Sequence, residues 1–175
     1  AEIAMKEASD SGALLGGAKI VSVRADSTCT DNAPATQAAE RLITSDKVVA
    51  IMGADCSGVT TAIVNNVAVP NGVPMISPSA TLPALTTIED KGLFFRTAPS
   101  DSRQGQVLAQ VVIDRGIDTV AVTYTNVDYG KGLSESFIGS FEALGGKVTA
   151  AVPHEDGKGD YSAEVATLSA SGATE

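Results

Sequence analysis

The chain has 175 residues, 43% of them hydrophobic, with 17 glycines, 7 prolines, no tryptophan and 4% aromatic content. That composition belongs to a folded globular protein packed by Val, Ile, Leu and Ala, and the length admits one domain or two incomplete ones. A net charge of −9 with only 12 basic residues excludes the phosphate-neutralising surface of a nucleic-acid binder, and an acidic surface of this kind favours a freely diffusing monomer.

No run of about eighteen apolar residues is present, so nothing reads as inserting into a bilayer, and no charged-then-apolar leader opens the chain. The first residues, AEIAMKEAS, pattern as an amphipathic helix, with Ile3, Ala4 and Met5 near one face and Glu2, Lys6 and Glu7 near another. An opening inside a helix reads as a fragment, with leader and first strand expected upstream of Ala1 and a whole protein roughly twice this length.

Apolar runs and turn residues then alternate along the chain. The spacing predicts helix 1–9, strand 19–24, helix 33–45, strand 48–52, helix 59–69 and strand 74–77. The strands are short and continuously apolar (KIVSVR, VVAIM), the pattern of a parallel sheet covered on both faces, with the helices as right-handed crossovers. Asp31-Asn32-Ala33-Pro34 offers caps and a first-turn proline, and Asn71-Gly72 offers a stop. Residues 93–97 read as extended. A second series follows, with helix 102–115, strand 119–123, helix 130–144, strand 147–152 and helix 161–171. The fold class is therefore α/β in two lobes: 1–97 without its first strand, a hinge crossover at 98–101, and a truncated second lobe at 102–175.

In open parallel sheets ligands bind beyond the carboxyl ends of the strands, so three loops hold the candidate site. The first, Gly53-Ala54-Asp55-Cys56-Ser57-Gly58, runs into a helix whose leading N–H groups favour an anion, although Ser57 is equally a plain N-cap. The second is Ser77-Pro78-Ser79-Ala80-Thr81, small and hydroxyl-rich, before a helical turn at Leu82-Pro83. The third, Asn126-Val127-Asp128-Tyr129-Gly130-Lys131-Gly132, exposes Tyr129 from the opposing lobe. Cys29 and Cys56 have no partner at metal-ligand spacing. They are either buried thiols or a disulfide closing a loop of roughly thirty residues, which stabilises by about 3 kcal/mol.

The strings MGADCSGVTTA, VPMISPSATLPALT, FFRTAPSDSRQGQ, YTNVDYGKGLSESF and DYSAEV resemble, in order and spacing, the type I periplasmic binding proteins of branched-chain amino-acid ABC transporters. The resemblance covers nearly the whole chain, and SPSAT and FRTAPSDSRQG are its most specific parts. It implies two α/β lobes closing on a small amino-acid-like ligand, a membrane permease as partner, and a periplasmic or lipid-anchored location. Carried over residue by residue, Ser57 holds the ligand carboxylate through its hydroxyl and backbone N–H, the Thr81 hydroxyl contacts the amino-acid head group, the Ser79 backbone carbonyl accepts from the ammonium with Ala80 beside it in the site, and Tyr129 closes from the second lobe. Asp55 and Cys56 line the side-chain pocket, and Cys29 with Cys56 forms a disulfide. Asp55 departs from the apolar residue of close relatives and points to a ligand with a polar or cationic tail, or else outward to solvent. The family's ammonium-binding acid and further aromatics are expected beyond Glu175.

No catalytic residue, cofactor or metal is expected. No GxGxxG or GxxxxGK[ST] loop follows a strand, and Gly157-Lys158-Gly159 leads into Asp160, which repels phosphate. His154 reads as a solvated loop residue, and Ser57 lacks a nucleophile elbow. A ligand-sensing domain of the same fold, responding to amides, urea or small carboxylates, is the first alternative. A Rossmann or flavodoxin-like enzyme is the second.

Overall fold

The computed structural model describes residues 1–173. Among the described residues, six α-helices and five strands follow in the order α1 Glu2–Asp10, α2 Asn32–Thr44, β1 Ile51–Met52, α3 Ser57–Ile63, β2 Met75–Ser77, β3 Phe94–Arg96, α4 Asp101–Asp114, β4 Thr119–Thr125, α5 Asp128–Ala143, β5 Lys147–His154 and α6 Ser162–Ala170. β1, β2 and β3 form one parallel sheet in that order, and β4 pairs with β5 in a second. Each sheet has its own apolar core, so the chain builds two α/β units.

Local chemistry accounts for the element limits. Asp31 caps α2 by accepting from the Ala33 N–H at 3.1 Å, and Ser100 caps α4 through Ser102 N–H. α3 continues without a break into a π turn at Val64–Ala68 and ends before Gly72, whose φ of +67° is the left-handed geometry a non-glycine residue rarely adopts. Pro83 starts a short 3-10 turn at Pro83–Thr86, where a missing N–H costs nothing.

The first core joins Ala35 and Ala39 of α2, Val59 and Ile63 of α3 and Val64 and Val67 of the π turn to Ile51, Met75 and Phe94 of the sheet. Those three strand residues are neighbours in register, and their buried row alternates with Met52, Ile76 and Phe95, which are 49%, 41% and 56% exposed. The continuous apolar runs led to a sheet covered on both faces; among the described residues only one face is covered, because α2 and α3 both pack on it. The second core is smaller, with Ala109, Val120, Phe137 and Phe141 buried and the two phenyl rings stacked at 5.4 Å.

The expected strand 19–24 does not form. Those residues run as exposed coil, tied down by a bond from Ile20 N–H to Ser9 Oγ at 2.9 Å and by Arg24 against Glu2. A strand exists through the partners of its N–H and C=O groups, and no described strand lies beside this segment, so β propensity alone does not order it.

Candidate functional site

The loops after β1 and β2 are joined by side-chain-to-backbone bonds. Ser77 Oγ, fully buried, donates to the Ala54 carbonyl at 2.6 Å and accepts from Ala80 N–H at 3.0 Å. Thr60 Oγ1 donates to the same Ala54 carbonyl at 3.0 Å, Ser79 Oγ donates to the Asp55 carbonyl at 3.0 Å, and Leu82 N–H donates to Ser57 Oγ at 3.3 Å. Small hydroxyl residues are what permit this, since each reaches a main-chain group one loop away without filling the space in front of it.

From behind, Arg96 holds the second loop. Its guanidinium donates to the Ala80 and Leu82 carbonyls at 3.2 and 2.9 Å and to Thr86 Oγ1 at 2.6 Å. Burial pulls its pKa below the ordinary guanidinium value, and the negative charge of Asp101 opposes that pull. Thr81 Oγ1 donates to Asp101 Oδ2 at 2.8 Å, and Asp101 N–H donates to the Thr81 carbonyl at 2.9 Å.

In front lies a cleft of about 430 Å³. The first unit contributes Asp55, Cys56, Ser57, Gly58 and Ser79, together with Cys29, Thr30 and Asn32. The last three arrive through the Cys29–Cys56 disulfide, whose Cα atoms stand 5.3 Å apart and which joins the exposed segment before α2 to the residue before α3. The second unit contributes Asn126, Val127, Asp128, Tyr129 and Lys131, all at the start of α5. The two units touch here: Asp128 Oδ2 lies 3.3 Å from where a Cβ on Gly58 would stand, and Leu82 packs so closely on Gly132 that a side chain there would overlap it.

Among the expected site residues, Asp55, Cys56, Ser57, Ser79 and Tyr129 are brought together around this cleft. Ala80 is fully buried and Thr81 half-buried, and neither is part of its lining; both lie behind Ser79. Sequence reasoning passed over Thr30, Asn32, Asp128 and Lys131. The cysteine pairing carries the signal for the first two, and the three-residue helical spacing from Asp128 carries it for Lys131. His154 also departs from its expected place in a solvated loop: it ends β5, where Nδ1 lies 2.8 Å from Thr123 Oγ1 and the ring meets Tyr161 edge-on at 5.7 Å.

The donor and acceptor inventory of the first unit is asymmetric. No side chain caps α3, and Ser57 Oγ, which accepts from Leu82, donates to nothing among the described residues. Its proton and the first-turn N–H groups of α3 are therefore available to an anion. Ser79 and Thr81 are the reverse. Their single hydroxyl protons go to the Asp55 carbonyl and the Asp101 carboxylate, so both oxygens have only accepting capacity left, and of the two only Ser79 lines the cleft. Among the described residues no three His, Cys, Asp or Glu side chains are grouped to hold a metal ion, and no helix is long and apolar enough to cross a membrane.

Comparison with known proteins gives a consistent picture. The chain is 34% identical over 175 residues to the Leu/Ile/Val-binding protein homolog 1 of Brucella melitensis, covering 98% of this chain and 45% of that protein. The branched-chain amino acid transporter substrate-binding protein LivJ of Streptococcus pneumoniae, solved in complex with isoleucine, superposes with a TM-score of 0.79 at 32% identity, over 97% of this chain and 47% of that one. A solute-binding protein of an R. palustris ABC transporter, solved in complex with 4-hydroxybenzoate, superposes with a TM-score of 0.82 at 25% identity, over 95% and 44%. The chain thus spans about half the length of the relatives it matches. Residues 1–174 match the family described as periplasmic binding protein, and the chain belongs to that family.

Proposed function

We propose that the protein captures an amino acid with a mainly aliphatic side chain between two lobes, residues 1–97 and 102–175, hinged at 98–101, and delivers it to an ABC permease outside the cytoplasm. The observation that carries this reading is the split polarity of the first unit. Ser57 and the uncapped start of α3 offer donors, whereas Ser79, whose proton goes to Asp55, offers an acceptor. A carboxylate and an ammonium on one carbon need that arrangement. Asp55, exposed in the cleft with Oδ1 3.4 Å from Ser79 Oγ, adds negative charge on the acceptor side.

Asp128, Tyr129 and Lys131 complete the enclosure from the second lobe. Ligand drives closure because it binds the closed arrangement better than the open one, and the closed form is the one a permease recognises. The protein acts as a monomeric receptor with no catalytic step: among the described residues Ser57 Oγ is hydrogen-bonded to Leu82 N–H and to no His, Asp or Glu side chain.

A second reading, an aromatic carboxylate as ligand, is favoured by the 4-hydroxybenzoate bound in one relative. It uses the donors at Ser57 and leaves the acceptor at Ser79 unused. A thermal-shift panel of L-leucine, L-isoleucine, L-valine, benzoate, 4-hydroxybenzoate and urea separates the two. A ligand at 100 times its dissociation constant stabilises by about 2.7 kcal/mol. Shifts with the amino acids support the first reading; shifts confined to the benzoates or urea overturn it.

A further inference from the structure

A pocket for a purely hydrocarbon tail is ordinarily walled by apolar and aromatic side chains, yet among the described residues no Leu, Ile, Met or Phe lines this cleft. Its apolar surface comes from Val127, the Tyr129 ring and the Cys29–Cys56 disulfide. Asn126 stands beside Val127 on the second face, directly after β4, at the carboxyl end of a parallel strand where ligands bind. Its place is fixed twice. The Asn126 N–H donates to the His154 carbonyl at 2.8 Å, and Nδ2 donates to Glu155 Oε1 at 2.7 Å. Glu155 is itself tied down, since its carbonyl accepts from Tyr161 Oη at 3.1 Å, and Tyr161 accepts from Lys158 N–H at 3.0 Å.

A carboxylate only accepts, so the nitrogen of the Asn126 amide must face Glu155 and its oxygen must face away. With the nitrogen held, Oδ1 is an acceptor with no partner among the described residues. Closure of the lobes takes that oxygen out of water, and an amide oxygen desolvated without a partner costs binding free energy. A donor on the ligand removes the cost. The donor is best neutral, because Asp128 and Lys131 stand one turn apart on α5 with opposite charges and leave no net charge on this face.

We propose that Asn126 is a specificity-determining residue for the end of the ligand's side chain, and that Glu155 is the positioning residue that turns its amide. Together they select an amino acid whose aliphatic stem lies on Val127, Tyr129 and the disulfide and whose side chain ends in a hydroxyl or amide donor. Asn126 has this role only if the ligand is an amino acid, as proposed above.

The test measures affinities by titration calorimetry for two isosteric pairs, L-threonine with L-valine and L-asparagine with L-leucine, in which a hydroxyl replaces a methyl and an amide replaces an isopropyl group. In the unsubstituted protein the polar member of each pair binds as tightly as its isostere or more tightly. Asn126→Leu keeps the shape and removes the amide, and each polar-to-apolar ratio falls by about tenfold, because a site built for a hydrogen bond discriminates through the group left unpaired. Glu155→Ala lowers the ratios in the same direction by a smaller factor, since the amide is then free to turn its nitrogen to the cleft. Glu155→Gln still offers an acceptor and recovers most of the ratio, and the double variant Asn126→Leu with Glu155→Ala is no worse than Asn126→Leu alone, because the two residues act as one unit. Both side chains are exposed, so the variants keep the fold. An apolar member that binds more tightly in the unsubstituted protein, ratios unmoved by Asn126→Leu, equal weakening of both members of a pair, or Glu155→Gln no better than Glu155→Ala overturns the inference while leaving the amino-acid reading intact. An unsubstituted protein that binds none of the four overturns that reading and the inference with it.

Discussion

The two faces of the cleft are built differently. The first-unit face is cross-linked by Cys29–Cys56, stitched by Ser77, Ser79, Thr60 and Leu82, and backed by Arg96 and Asp101. The second-unit face comes from the start of α5 and the two residues before it; Asn126 is tied to the His154 carbonyl and to Glu155, whereas Tyr129 is 44% exposed and no side chain caps the helix. One face is organised before any ligand arrives; the other has freedom to adjust. On the proposed reading, recognition of the common head group belongs to the first and fitting of the variable tail to the second.

Substitutions test that contrast, and the largest effect is expected from the disulfide. Replacing Cys29 and Cys56 by Ala removes a cross-link spanning 27 residues and lowers stability by about 3 kcal/mol, read from urea unfolding. An unchanged midpoint breaks the comparison, since the first face then owes nothing to its cross-link. Next comes Ser77→Ala, which leaves the buried Ala80 N–H without its acceptor and costs about 1 to 3 kcal/mol, with weaker binding because both head-group loops loosen.

Gly132→Ala pushes a methyl into Leu82. Turning the end of Leu82 aside costs about 1 kcal/mol, and ligand affinity falls because α5 stands further from the first unit. The smallest stability effect belongs to Tyr129→Ala, within about 0.5 kcal/mol. Its ligand affinity should fall severalfold, by an amount that depends on the tail of the amino acid. A loss of stability at Tyr129 equal to that at Ser77 contradicts the assignment of rigid and adaptable faces.

Much of this is legible in the letters. The alternation of apolar runs with Gly, Asn and Pro places α2 to α6 and β1 to β5, because burial on a parallel sheet and helix capping are local signals. Residues 19–24 show where that reading fails: the same apolar pattern reports a preference for pairing and is silent on whether a partner is in place. The cleft residues Asp55, Ser57 and Ser79 follow from their position after β1 and β2. Asp101 does not, since an acid in the first turn of a helix ordinarily reads as an exposed complement to its dipole, and only the three-dimensional path of the Thr81 loop reveals that this one is buried.

The central claim is that the first face is a preformed receptor for a zwitterion, and a crystal structure of the protein with L-leucine tests it most directly. The predicted result has the ligand carboxylate within hydrogen-bond reach of Ser57 Oγ and the first N–H groups of α3, and the ammonium facing Ser79 Oγ on the side of Asp55. A leucine seated in the opposite sense, or held by second-unit residues alone, contradicts it.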